Sequence, residues 1–126
     1  MRVKLGRRVA AAQAGYYVGT GIWPLVHRRS FEALTGRKID WWLVETVGLL
    51  VTAIGTGVGL AARTGRITPE LGVVAAGAAG SLAAIDVVYV GLGAIPPTYL
   101  ADAAVELGLV GGWIAAARSD RLQPAA

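Results

Sequence analysis

Three carboxylates interrupt the most apolar part of this sequence. Asp86 lies within residues 80–95, GSLAAIDVVYVGLGAI, and Asp102 and Glu106 lie within residues 99–113, YLADAAVELGLVGGW. An acid in a run apolar enough to face lipid needs a partner, a cavity or a proton. Asp102 and Glu106 are four residues apart, so on a helix they share a face and repel one another when both are charged. Four arrangements satisfy such a group. The acids can hold protons and donate hydrogen bonds. A basic residue of the 27–38 segment (His27, Arg28, Arg29, Arg37 or Lys38) can fold over and pair with them. An external cation, an amine or a metal, can fill the space between them. They can also form a satisfied polar network whose role is helix packing.

Other polar residues are spaced to join them. Tyr89 follows Asp86 by three residues, about one helical turn, and can donate a hydrogen bond. Gln13, Tyr16, Thr20, Trp23 and His27 fall on one stripe at helical spacing, and Glu45 opens a second stripe with Leu49, Thr52 and Thr56. The predicted ligand-binding set is Asp86, Glu106, Asp102, Tyr89, Glu45, His27, Tyr16 and Trp23, with Asp86 and Glu106 at its centre.

Several chemistries fall away. Cysteine is absent and His27 is the only histidine, which removes thiolate metal sites, His-rich zinc sites and bis-histidine haem within one chain. No EF-hand spacing, P-loop or nucleophile elbow is present, and no GxGD protease motif surrounds Asp86. The sequence identifies no metal, no cofactor and no catalytic motif. Hydrophobic residues make up 55% of the 126 residues and charged ones 16%, a balance that belongs to a membrane domain. The net charge of +4 sits between apolar blocks rather than on one face, which excludes nucleic acid as the expected partner and makes the lipid bilayer the expected one.

The elements that must position these residues are four long apolar helices. Their predicted extents are residues 9–26, 41–62, 69–93 and 99–117, with a short surface helix over 30–35 capped by Ser30 and ended by Gly36. Each long segment is near the length that crosses about 30 Å of hydrocarbon. Asp40 is placed to cap the second long helix, and Thr68 before Pro69 to cap the third. Pro96-Pro97 turns the third helix into the fourth, and residues 123–126 read as a frayed tail. The GxxxG pairs Gly15/Gly19, Gly55/Gly59 and Gly108/Gly112 permit close approach of helices, within the chain or in a homo-oligomer.

The runs over residues 21–27, 30–32 and 35–43 resemble a pattern found in small bacterial four-helix membrane proteins. The residues that carry it are Gly21, Trp23-Pro24-Leu25, His27, Ser30-Phe31-Glu32, Thr35-Gly36, Lys38, Asp40 and Trp42-Leu43. The resemblance implies the all-α, up-down-up-down fold and a bacterial plasma membrane, and it brings no activity with it.

Four crossings bring both termini to one side, with Arg2, Lys4, Arg7, Arg8, Arg63, Arg66, Arg118 and Arg121; the other side holds Arg28, Arg29, Arg37 and Lys38. That excess places the termini in the cytoplasm. Almost no ionisable residue within the spans then lies in the cytoplasmic half, and His27, Glu45, Asp86, Tyr89, Tyr99, Asp102 and Glu106 belong to the outer half. Glu106 lies about 10 Å beyond Tyr99 and Asp86 about 14 Å before Ile95, at 1.5 Å per residue. The expected function is a membrane protein that takes a small cationic or amphiphilic ligand into an acidic outer-leaflet cavity. The alternatives are a proton- or cation-coupled transporter acting as an oligomer, and a structural subunit of a larger membrane complex. The topology predicts that a cysteine at Gly36 is labelled from outside intact cells while one at Arg66 is protected; the reverse labelling pattern contradicts it.

Overall fold

A computed structural model describes residues 4–122. Among these residues the regular structure is entirely helical: α1 (Lys4–Val26), α2 (Arg28–Thr35), α3 (Trp41–Thr64), α4 (Pro69–Gly91) and α5 (Tyr99–Leu122). The expected tail at 123–126, like Arg2, lies outside the described residues.

Local chemistry sets the boundaries. α1 begins at Lys4 rather than near Val9, and its first turn carries Arg7 to the end of α3. Its Nε donates to the Ala62 carbonyl at 2.8 Å and its Nη2 to the Arg63 carbonyl at 3.3 Å, which serves two of the carbonyls left free where α3 ends. α2 starts at Arg28 with His27 as its cap, so Ser30 is not the cap expected of it. The His27 Nδ1 accepts from the Ser30 N–H at 3.2 Å, and Gly36, at φ 89°, closes the helix by donating to the Glu32 carbonyl. Asp40 stands at the cap position of α3, but its side chain makes no capping bond. Thr68 caps α4 as expected: its hydroxyl oxygen accepts from the Leu71 N–H at 3.1 Å, with Pro69 in the first turn. α4 stops at Gly91, two residues short of Gly93, where the chain takes φ 74° into the Pro96-Pro97 turn.

Three helices are long and apolar enough to cross a membrane: Trp41–Thr64, Pro69–Gly91 and the Tyr99–Ser119 part of α5. Only 17%, 22% and 28% of their apolar windows are buried within the protein. Leu49, Leu60, Val73, Ile85 and Leu107 are among the large side chains left more than half exposed. A continuous apolar surface of this extent is stable against lipid and not against water. These are the features of a membrane protein. α1 is less apolar and is not among the three. It carries Gln13, Tyr16, Tyr17 and Thr20, whose polar groups bond to other protein groups.

α1 is the helix around which the others gather. It packs along α3 on one side and against α5 on another, α4 packs along α5, and α3 and α4 meet only sparingly. The α1–α3 contact is close because glycines face it. A β-carbon on Gly48 would stand 2.7 Å from the Gly21 carbonyl oxygen, and one on Gly55 2.8 Å from the β-carbon of Tyr17. Gln13 joins three helices from a fully buried position. Its amide nitrogen donates to the Ala75 carbonyl of α4 at 2.9 Å, and its oxygen accepts from the Trp113 indole of α5 at 2.7 Å. Beside this clamp, Ala10, Val58, Ala62, Ala75 and Trp113 form a dry core toward the α3–α4 turn.

The GxxxG pairs divide between roles. Gly55, Gly59 and Gly112 meet α1 side chains, whereas Gly15, Gly19 and Gly108 have open space where a β-carbon would stand. Gly48→Val is therefore expected to cost about 1–3 kcal/mol by forcing α1 from α3, and Gly15→Ala to change stability by less than about 0.5 kcal/mol. Denaturation of the purified variants in one detergent measures both. Equal losses at the two positions contradict this packing.

Candidate functional site

At the α2 end of the protein the helices enclose a cavity of about 700 Å³. This lies within the roughly 300–1,000 Å³ of small-molecule sites. Its walls are mostly apolar: Leu43, Val44, Val47 and Val51 from α3, Leu82 from α4, Val105 from α5, and Phe31 and Leu34 from α2. Its polar groups are concentrated. Asp86 comes from α4, Asp102 and Glu106 from α5, and Tyr16 and Thr20 from α1.

Each acid has a distinct environment. Glu106 is 1% exposed and accepts a 2.7 Å hydrogen bond from the Tyr17 hydroxyl. Asp102 is half-buried and accepts from the Tyr16 hydroxyl. Asp86 is 5% exposed, and its Oδ2 has no hydrogen-bond partner. Asp102 lines the same cavity as Asp86. Two carboxylates in one apolar cavity repel one another, and a cation between them relieves that repulsion. The protein supplies no cation of its own there: among the described residues the ion pair formed is Arg28 with Glu32, on the surface. Lys38 lines the cavity, but its ammonium donates to the Thr35 carbonyl at 2.5 Å and lies 5.0 Å from the centre of the Tyr99 ring.

α2 lies across this end as a roof. The Thr98 hydroxyl donates to the Leu34 carbonyl at 2.5 Å, which ties α2 to the start of α5. The Trp23 indole donates to Ser30 Oγ at 2.7 Å, and the Trp23 ring meets Phe31 edge-on with centroids 5.3 Å apart. Glu32 fixes the chain beyond α2 by accepting from the Lys38 N–H at 2.8 Å. That backbone bond, helped by Arg28, holds the Glu32 carboxyl below the usual carboxylate range. A lowered folded-state pKa gives support that is present above the ordinary glutamate range and is lost as pH falls through the lowered one. The Glu32 bond to the Lys38 backbone is therefore fully made at neutral pH and weakens only in acid.

The structure brings Asp86, Asp102, Glu106, Tyr16 and Trp23 to one cavity, and leaves three predicted residues outside it. Tyr89 is 42% exposed on the outer face of α4. Glu45 is exposed on α3, and His27 is exposed at the start of α2 with its ring bonded to Ser30. Tyr17 was absent from the predicted set. Its signal was present in α1, where the buried residues Gly6, Ala10, Gln13, Tyr17, Gly21 and Pro24 recur at intervals of three and four. Lys38, Thr98 and Tyr99 join the lining from turns and a helix start, positions that periodicity does not reach.

Tyr17→Phe removes the one protein donor to a fully buried carboxyl and is expected to destabilise the fold by about 1–3 kcal/mol. Tyr89→Phe is expected to stay within about 0.5 kcal/mol of the native protein. Thermal and chemical denaturation test the pair, and a Tyr17→Phe protein as stable as the native one counts against the bond. Comparison of the chain with protein-family models, curated proteins and solved structures gives no match.

Proposed function

We propose that this chain is a multi-pass protein of a bacterial plasma membrane that binds a small organic cation in the cavity beneath α2. In this reading α1, α3, α4 and α5 all cross the bilayer as an up-down-up-down four-helix bundle. Both termini lie in the cytoplasm and the cavity opens in the outer leaflet. The excess of basic residues on the terminal side supports that orientation.

The observation that carries the reading is the unpartnered, buried Oδ2 of Asp86 beside Asp102, in a cavity whose remaining surface is mainly apolar. A positive group there gains two carboxylates at low dielectric, and its apolar remainder fits the valine and leucine walls. The acids do not converge on a single point: among the described residues no three carboxyl or imidazole groups are placed to hold a metal ion. An organic cation suits the spread arrangement better than a metal does.

A specific observation bears on transport. The polar groups continue from Glu106 through Tyr17, and Gln13 with Trp113 lies a turn deeper in the same helices. Beyond Gln13 the buried core side chains are apolar, among them Ala10, Val58, Ala62 and Ala75. A carrier would have to open that core in each cycle. Binding, as a receptor-like module or as a subunit of a larger membrane assembly, requires no such opening. The open glycine faces at Gly15, Gly19 and Gly108 leave room for a second copy or another membrane subunit.

The test is Asp86→Asn in lipid nanodiscs, with butylammonium as the probe. Asn keeps the shape, removes the charge and can donate its own N–H to Asp102. The expected result is native or higher thermal stability together with loss of at least tenfold in affinity. Unchanged affinity refutes the cation site and leaves the acids as a packing network.

A further inference from the structure

We infer that the occupant is a membrane-resident, single-chain primary amine, reached through the apolar edges of the cavity rather than through its roof. This rests on the cation-binding reading above. The first support is the chemistry of the floor. An ammonium headgroup carries three N–H donors, and Asp86 Oδ2 is a buried acceptor with no donor of its own. Asp102 lines the same cavity, and the Tyr16 oxygen, whose proton is given to Asp102, is left free to accept. A quaternary ammonium has no N–H and would leave Asp86 unpaired.

The second support is the shape of the enclosure. The route from water is obstructed by α2, held by the Thr98 bond to the Leu34 carbonyl and by Gly36, whose built β-carbon would stand 3.1 Å from the Pro96 ring. The cavity reaches the exterior instead along its sides. Leu43 and Val47 of α3, and Ala101 and Val105 of α5, line it and are also exposed. They lie within the first two turns of their helices, in segments apolar enough for lipid. α3 makes few contacts with α4. A headgroup on Asp86 with its chain passing over these side chains continues directly into the hydrocarbon of the same leaflet.

The experiment uses the full chain in phosphatidylcholine nanodiscs with dodecylamine and butylamine as probes. It compares the native protein, the Val47→Trp/Ala101→Trp double variant, and Asp86→Asn. The two Trp positions are exposed, so the substitution narrows the edges without entering the packed core. Dodecylamine is expected to bind the double variant at least tenfold more weakly than the native protein. Butylamine is expected to lose less affinity than dodecylamine does in the double variant, and native helical circular dichroism reports that the variant is folded. A Leu pair at the same positions replaces the Trp pair if butylamine binding is lost as well. Dodecyltrimethylammonium is expected to bind the native protein at least tenfold more weakly than dodecylamine. Equal dodecylamine affinity in the native and narrowed proteins overturns the lateral route while butylamine binding sustains the cation site. Binding of neither amine, or Asp86→Asn binding both as the native protein does, overturns the site and the route together.

Discussion

The α2 end of this protein answers one constraint: carboxyl groups stand inside apolar helices, and among the described residues none of them forms an ion pair with a basic residue. A charge at this depth is expensive in lipid. The protein reduces the penalty by facing the acids inward and giving two of them a tyrosine hydroxyl each, Tyr17 to Glu106 and Tyr16 to Asp102. The third, Asp86, is given no donor at its Oδ2. The close glycine contacts of α1 with α3 hold the tyrosines at the right depth. The Gln13 clamp fixes α4 and α5 against them. The Gln13 clamp thus lies below the site and the cavity above it.

That division explains why the two ends differ. Toward the α3–α4 turn the buried side chains are alanine, valine and tryptophan, with Gln13 bonded at their edge. Toward α2 an apolar cavity takes the place of a core, while Gly21 of α1 and Gly48 of α3 still touch at its wall. Larger lining residues such as Leu43, Val44 and Val47 face the space there. The roof helix is anchored by polar bonds rather than by burial, since none of its residues is fully buried.

Much of this was legible in the sequence because an acid in an apolar run is a strong signal. Asp86, Asp102 and Glu106 were recognisable from their surroundings alone, and so were the Thr68-Pro69 start of α4 and the glycine stop at Gly36. The faces were harder to read. α4 is apolar all round, so hydropathy does not say which side meets protein and which meets lipid. Asp86 points inward, and Tyr89, three residues on, falls outside. On α1 the choice between Tyr16 and Tyr17 is a rotation of about 100°. The crossing of α1 with its neighbours decided it, and both tyrosines found an acid. His27 reads as a site residue by its chemistry, yet the start of α2 requires a cap there, and the local hydrogen bond takes the ring.

The central claim is that Asp86 holds an organic cation in this cavity. Infrared difference spectroscopy of the protein in nanodiscs, with and without dodecylamine, measures this through the carboxyl bands. The account predicts an amine-induced change in those bands that Asp86→Asn abolishes. Bands unchanged at saturating amine, or a change that Asp86→Asn leaves in place, would contradict it.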